Sequence, residues 1–206
     1  MREGASEVLE FWFGELSDGF ADDAHRRRWF AGDAAMDAEI RERFGPLLTA
    51  ALDGELAGWA ESSDGALALV IVCDQFSRQV HRGTRQAYAT DPLALQVALA
   101  LVEQGTDLEL GLDQRAFLYM PLHHSESRLD QHTSVGLYTA LSDAAPADLR
   151  RHMDGFLHYA RDHRDVVLRF GRFPHRNRVL GRPSTPAESA FLETAPGYGQ
   201  SAAPKP

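Results

Sequence analysis

The segment from Arg169 to Arg182 concentrates positive charge and hydrogen-bond donors. It reads Arg-Phe-Gly-Arg-Phe-Pro-His-Arg-Asn-Arg-Val-Leu-Gly-Arg and contains no acid, although the whole chain has a formal net charge of -9. Guanidinium groups present planar forks of N–H donors that match carboxylate or phosphate oxygens. Two interpretations stay open, a binding site for an anion or a loop that salt bridges fasten to the protein. The candidate ligand-binding residues here are Arg169, Arg172, Arg176 and Asn177, and His175 is a candidate for proton transfer.

A second group of polar residues follows Pro121, where a helix is expected to kink or end. His123, His124, Ser125 and Glu126 are consecutive. Immediate neighbours on a helix point about 100 degrees apart, so these residues cannot readily form a serine–histidine–acid relay by themselves. Their spacing also lacks the His-x-x-x-His and Glu-x-x-His patterns of a metal site on a helix. The group is therefore a candidate for acid–base chemistry, and the sequence predicts neither a metal nor a cofactor.

Two further candidates lie inside predicted helices. Asp74 and Arg78 stand four residues apart on one helical face, and Arg82 follows near the end of that helix. A surface ion pair at this spacing contributes only about 0.3 to 0.5 kcal/mol, whereas the same pair could line a cleft. His163 projects from the apolar stripe of a long helix, as either a neutral core histidine or a functional one. All four are candidate ligand-binding residues.

Rare residues exclude several chemistries. The only lysine is Lys205, so a Walker A loop, a Schiff-base cofactor and a lysine general base lack their essential group. Cys73 is the only cysteine, which excludes an internal disulfide, a cysteine-rich zinc site and a four-thiolate iron–sulfur cluster. Because it follows an apolar run, we interpret Cys73 as a small buried hydrophobic residue.

Charge and hydropathy predict a soluble, cytoplasmic protein. The acidic balance disfavours nonspecific attraction to nucleic acid or anionic lipid. Residues 1–15 lack the basic start and apolar stretch of a secretory signal. The longest uncharged apolar runs, around 66–73 and 92–102, are much shorter than the roughly 20 residues that span a bilayer.

Periodicity predicts an all-α protein. Apolar residues recur at spacings of three and four, and no segment alternates cleanly before a hairpin turn. The chain of 206 residues suits one helical domain over residues 1–193, followed by a flexible Pro-rich tail over 194–206. The predicted helices cover 34–44 with Asp33 as N-cap, a short helix from Pro46 to Leu52 after a break at Gly45-Pro46, 67–80, a stretch that begins at the cap Asp91, 113–122, 127–141, 146–170 and a last one near 184–192. Ser127 and Ser184 are the predicted caps of the helices that follow them.

Several motifs together resemble a bacterial family, domain of unknown function 924. They are Cys-Asp-Gln-Phe-Ser-Arg-Gln-Val-His-Arg-Gly-Thr at 73–84, Phe-Leu-Tyr-Met-Pro-Leu at 117–122 leading into His-Ser-Glu at 124–126, Arg-Phe-Gly-Arg-Phe-Pro-His-Arg-Asn at 169–177, Val-Leu-Glu-Phe-Trp-Phe-Gly at 8–14 and Trp-Phe at 29–30. The resemblance implies a TPR-like, right-handed stack of antiparallel helices and supplies no activity. Ser77 and Gln79 depart from the proline and asparagine usual in the family. Because position 123 varies there, His124 is favoured over His123.

Two functions from different classes follow. The polar motifs could converge on a pocket for a small anionic metabolite, where His124, Glu126 and His175 would orient it or transfer protons without a metal. Alternatively, the helices form a protein–protein interaction module that presents a groove to a peptide or partner. Contact with RNA through the arginine-rich segment is disfavoured by the overall charge. Whether the protein is an enzyme stays open.

Overall fold

The structure, a computed structural model, describes residues 2–195 of the chain. Apolar residues at helical spacing form helices throughout these residues. No β-strand occurs within these residues, where Ser17 and Phe20 form an isolated bridge. The all-α prediction is confirmed. The helices are α1 (Arg2–Phe13), α2 (Asp23–Arg28), α3 (Ala34–Leu52), α4 (Ser63–Val70), α5 (Ser77–Val80), α6 (Asp91–Gln104), α7 (Leu112–Leu118), α8 (Met120–His124), α9 (Arg128–Ala144), α10 (Arg150–Phe170), α11 (Asn177–Leu180) and α12 (Pro186–Leu192).

Side-chain caps fix several helix starts where the sequence placed them. Asp33 accepts a hydrogen bond from the backbone N–H of Ala35 before α3, and Ser127 accepts one from Asp130 before α9. The sequence predicts Ser184 as the cap of the last helix. Thr185 forms the capping box with Glu188 instead, so this helix begins one residue later than predicted. At α6 the predicted cap Asp91 is instead the first helical residue, and Thr90 precedes it. The polar caps therefore located helix starts to within one residue.

The predicted break at Gly45-Pro46 is wrong, because α3 continues through it to Leu52. A residue with a Cβ before proline is pushed out of the helical region, and Gly45 has no Cβ to clash. Pro46 is exposed, so its ring faces solvent and does not disturb the packed side of the helix. The helix loses a hydrogen bond there but keeps its buried stripe of Met36, Ile40, Phe44 and Leu48.

The predicted helix over 67–80 is confirmed, and it is part of a longer run of helical turns. Between α4 and α5, Ile71–Phe76 forms a π-helical segment in which every residue is buried. A π-helical turn adds a residue to the ordinary helical turn and is frequent at functional sites. Here it places the carboxylate of Asp74 in the interior.

An aromatic cluster forms the centre of the main hydrophobic core. Phe117 packs edge-on against Trp12 at 5.4 Å and against Trp29 at 4.6 Å between ring centroids. Trp12 also meets Phe76 of the π-helical segment at 5.6 Å. Cys73 is fully buried beside this core, as interpreted from the sequence. Apolar packing therefore holds the π-helical segment from the side opposite its carboxylate.

Helices α9 and α10 form an antiparallel pair that carries part of the site. Ser142 bonds Asp154 at the end near their connection, and Arg128 reaches the carbonyl of Leu168 at the other end. A small separate core of Val166, Val167 and Phe173 docks the segment after α10. Such a pair is compatible with TPR-like stacking, and the stack itself stays a prediction.

No helix within residues 2–195 is long and apolar enough to cross a membrane. The flexible tail predicted for 194–206 falls mostly outside the described residues, which end at 195.

A close approach of backbone gives a first prediction. A Cβ on Gly65 would overlap with the carbonyl oxygen of Trp59, a backbone atom that cannot turn away. Gly65→Ala should therefore lower the free energy of unfolding by about 1 to 3 kcal/mol, measured by urea denaturation. The control is Gly136→Ala in α9, where a Cβ meets nothing within 4 Å and stability should rise by up to about 1 kcal/mol. Equal effects of the two substitutions would contradict this packing.

Candidate functional site

Side chains from distant parts of the chain meet in one buried polar cluster. The π-helical segment and α5 contribute acidic and basic groups, the start of α6 another acid, α8 and α10 histidines, and the turn at Pro174–Arg176 a histidine and an arginine. The cluster consists of Asp74, Arg78, Tyr88, Asp91, His123, His124, His163, His175 and Arg176.

Asp74 lies at the centre of the cluster and is fully buried. Its carboxylate accepts a hydrogen bond from Gln75 Nε2 at 2.6 Å and lies 2.9 Å from Arg78 Nη1. It also contacts His124 Nδ1 at 2.8 Å. Burial raises the pKa of Asp74, and the positive charge of Arg78 opposes that shift. These donors supply what a buried carboxylate needs to stay ionised.

The contact with Asp74 fixes the tautomer of His124. Burial, followed by the charges of Arg78 and Arg176, lowers the pKa of His124 well below its ordinary value, so the ring is neutral. With Asp74 ionised, a neutral ring that faces the carboxylate through Nδ1 carries its proton there, which leaves Nε2 as the basic nitrogen. His124 and Asp74 therefore have the arrangement of a histidine–aspartate pair that can accept a proton.

A bidentate salt bridge links the pair to a second acid. Arg78 donates from Nη1 to Asp91 Oδ1 at 2.9 Å and from Nη2 to Asp91 Oδ2 at 3.1 Å. Nη1 also bonds the carbonyl of Asp74 at 2.8 Å. Arg78 is 15% exposed and Asp91 22%, so this side of the cluster reaches solvent. The donor capacity of Arg78 is therefore used by the protein itself.

Arg176 differs from Arg78 because its guanidinium forms no hydrogen bond with any other described residue. It is 6% exposed and lies between two rings, 4.8 Å from the centroid of Tyr88 and 4.5 Å from that of Phe173. Its nearest acid is Asp91, at 3.6 Å from Nη1. Nε is buried without a hydrogen-bond partner. Burial first, and then the charge of Arg78, lowers the pKa of Arg176.

Histidines cover the other side of the cluster. The rings of His123 and His163 lie 3.9 Å apart between centroids, and those of His124 and His163 lie 6.3 Å apart. His163 donates from Nδ1 to the carbonyl of Tyr159. Burial is the largest cause that lowers the pKa of His163 to about 4 and that of His175 to about 3. The histidines are therefore neutral at pH 7.

The structure brings together some of the residues that the sequence proposed as a site. Asp74, Arg78, His124, His163, His175 and Arg176 belong to the cluster. Five others lie outside it: Arg82 pairs with Asp37, Glu126 with Arg182, Arg172 with Glu188, Arg169 lies over the rings of Phe170 and Phe191, and Asn177 bonds Ser184 and Glu188. Glu126 also accepts the backbone N–H of Phe173, whose ring packs against Arg176 of the cluster.

Sequence reasoning missed three members of the cluster. Asp91 was interpreted only as a helix cap, yet its side chain bridges Arg78 and Arg176. Tyr88 had no motif around it. His123 was set aside in favour of His124, and both rings belong to the cluster. Within residues 2–195, no set of three acidic, histidine or cysteine side chains is arranged to hold a metal ion.

The comparisons give the protein a family. The sequence profile of a family described as bacterial protein of unknown function (DUF924) matches residues 8–196. The chain belongs to this family. A solved structure of a protein of unknown function from Agrobacterium tumefaciens is 37% identical, with a TM-score of 0.80, and the alignment covers 94% of this chain and 99% of that one. No curated protein matches the chain. The resemblance drawn from the motifs is thus confirmed, and the relatives name no activity.

The buried histidines predict a loss of stability in acid. The pKa of His163 is about 4 in the folded protein and about 6.5 when the chain is unfolded. Protonation therefore favours the unfolded state. The free energy of unfolding should fall as the pH decreases from about 6.5 to about 4, by about 3 kcal/mol from this residue alone.

Urea denaturation at several pH values checks this dependence. His163→Gln, which cannot be protonated, should be less sensitive to pH over the same interval than the unsubstituted protein. The control is His132→Gln on the exposed side of α9, which should keep the original dependence. An unchanged slope in His163→Gln would contradict a neutral, buried His163.

Proposed function

We propose that the protein binds a small molecule carrying a carboxylate or phosphate group at the buried polar cluster. The observation that carries this proposal is Nε of Arg176, a buried donor with no hydrogen-bond partner among the described residues, in a guanidinium whose Nη1 lies 3.6 Å from Asp91. A buried donor without an acceptor costs about 1 to 3 kcal/mol, and more when it is charged. An oxyanion bound next to Arg176 would supply the missing acceptor.

Hydrogen bonds rather than net charge define what the ligand must provide. Asp74 and Asp91 balance the charges of Arg78 and Arg176, because the four groups sum to zero when ionised. A ligand that only neutralised charge would gain little. One with oxygen acceptors arranged for a planar fork would satisfy donors that the protein leaves unused.

Acid–base chemistry on the bound molecule is the second part of the proposal. His124 Nε2 is the basic nitrogen of a ring that Asp74 orients through Nδ1. The same arrangement serves as a general base in many enzymes that use no metal. We assign His124 as the proton acceptor and Asp74 as its positioning residue. His175 and Glu126, the other candidates for proton transfer, lie beside Phe173 at the edge of the cluster.

A purely structural role for the cluster is the main competing account. Buried ion pairs are a weak source of stability, because desolvation offsets their attraction. Arg172 and Arg182 fasten the segment to Glu188 and Glu126, so Arg176 is not required for that purpose. Arg176 is a cation buried between two aromatic rings, and its Nε donor forms no hydrogen bond with the described residues.

The test is a calorimetric titration with inorganic phosphate and with acetate at constant ionic strength. Arg176→Lys keeps the charge but loses the planar fork, so affinity should fall about tenfold or more. The matched control is Arg178→Lys, two residues along the chain, exposed and without an ion pair among the described residues. Equal affinity in the two variants, or no binding of either anion at millimolar concentration, would contradict the proposal.

Anion binding should also take up protons. An anion beside Arg176 offsets the positive charge that helps to lower the pKa of His163 and His175, so the pKa of these histidines should rise. Affinity should therefore increase as the pH falls from 7 to 5. Titration with sulfate, which keeps its charge over this range, in two buffers of different ionisation enthalpy measures the uptake. Binding without proton uptake at pH 5 would contradict the placement of the anion beside these histidines.

The structure bears differently on the other two functions that the sequence suggests. RNA contact has little support, because Phe173 is fully buried and cannot stack on a base. A protein-interaction module, with TPR-like stacking, stays a prediction, and so does a cytoplasmic location. The surface that most resembles the binding groove of such a module is the groove beside Phe30.

A further inference from the structure

We propose a second ligand site, for a small aromatic carboxylate, in a groove between α2 and α10. The groove has a volume of about 480 Å³, within the range of small-molecule sites. We call it the aromatic groove. Its lining residues are Asp23, Arg26, Arg27, Phe30, Leu149, His152, Gly155, Phe156 and Tyr159.

Aromatic rings give the groove its apolar walls. Phe30 is 66% exposed and Tyr159 is 59% exposed, which is unusual for side chains of this size. Phe30 meets Phe156 edge-on at 6.1 Å between ring centroids, so the two form a corner. A flat aromatic ring can stack or pack edge-on against such walls.

A second histidine–aspartate pair supplies a fixed polar group in the groove. His152 Nε2 lies 2.7 Å from Asp113 Oδ1, and Asp113 is fully buried. The other oxygen of Asp113 accepts the backbone N–H of Ala21. The ring of His152 is 25% exposed and packs against Phe156 at 5.3 Å between centroids. A ligand in the groove therefore meets an imidazole whose orientation the protein has set.

Positive charge at the rim selects for an anion. Arg26 pairs with Asp23, whereas Arg27 is exposed and forms no ion pair with any of the residues that the structure describes. Phe30 follows Arg27 by three residues, close to one helical turn. A carboxylate attached to an aromatic ring would place the ring against Phe30 and its charge at Arg27.

Gly155, in the second turn of α10, leaves space in the groove. A Cβ on Gly155 would meet nothing within 4 Å, and no positive φ requires glycine there. Gly155 lines the groove one turn from His152 and Tyr159. A larger side chain at this position would occupy the space that a ligand needs.

The test is a calorimetric titration with benzoate. Benzoate should bind more tightly than benzyl alcohol, which lacks the charge, and than cyclohexanecarboxylate, which lacks the aromatic ring. Arg27→Gln should weaken benzoate binding roughly tenfold, as expected for loss of a charge-assisted contact. Gly155→Leu should abolish binding and leave the protein folded, because leucine favours the helix more than glycine does.

The matched control is Gly136→Leu in α9, another exposed glycine inside a helix whose Cβ would meet nothing within 4 Å. It should bind benzoate normally. Benzoate binding that survives Gly155→Leu but is lost in Arg176→Lys would place the ligand in the buried polar cluster and overturn the proposal. Failure of benzoate to bind, with self-association that Gly155→Leu removes, would also overturn it and assign the groove to a second copy of the chain.

Discussion

The fully buried carboxylate of Asp74 is the constraint on which the site depends. Removing an ionised group from water costs several kcal/mol unless hydrogen bonds and opposite charge compensate it. Gln75, Arg78 and His124 provide that compensation. Arg78 in turn requires Asp91, which lies next to Arg176. One buried charge therefore organises the π-helical segment, α8, the start of α6 and the turn before α11.

This arrangement places neutral histidines next to a guanidinium group that has a free hydrogen-bond donor. The histidines are neutral because burial lowers the pKa of each ring, and the charges of nearby guanidinium groups add to that shift. Arg176 is paired in charge with Asp91, yet its Nε is buried without a hydrogen-bond partner among the described residues. A neutral base beside a free guanidinium donor suits a ligand that brings acceptor oxygens and exchanges a proton. If the buried ion pairs served only to stabilise the fold, we would expect the protein itself to supply hydrogen-bond acceptors for all the donors of Arg176.

The sequence was a good guide to helices and a partial guide to the site. Apolar spacing and polar caps located most helices, because burial of one stripe dominates helix stability. The break expected at Pro46 did not occur: Gly45 relieves the clash of the proline ring with a preceding Cβ, and the buried stripe of α3 continues past the lost hydrogen bond. The π-helical segment left no sequence signal, because tertiary packing selects its hydrogen-bond pattern. Residue type alone could not show that Asp74 and His124, fifty positions apart, would touch.

The arginine-rich segment shows why spacing alone could not assign the binding residues. Its arginines look equivalent in the sequence, yet Arg172 and Arg182 find carboxylates, Arg169 lies over aromatic rings and Arg176 turns inward. Their partners, Glu126 and Glu188, lie outside the segment, so pairing depends on how the segment docks on α8 and α12. The family match covers residues 8–196 and does not identify binding residues or an activity.

The central claim is that Nε of Arg176, which has no acceptor among the described residues, forms a hydrogen bond with a bound anion. The most direct measurement is a titration with inorganic phosphate followed through the arginine Nε–H signals by nitrogen-15 NMR. The account predicts that the Arg176 Nε–H proton moves downfield as phosphate is added, as a new hydrogen bond requires, while the signal of Arg178 stays in place. An Arg176 signal that does not move, or that moves no more than Arg178, would contradict the account.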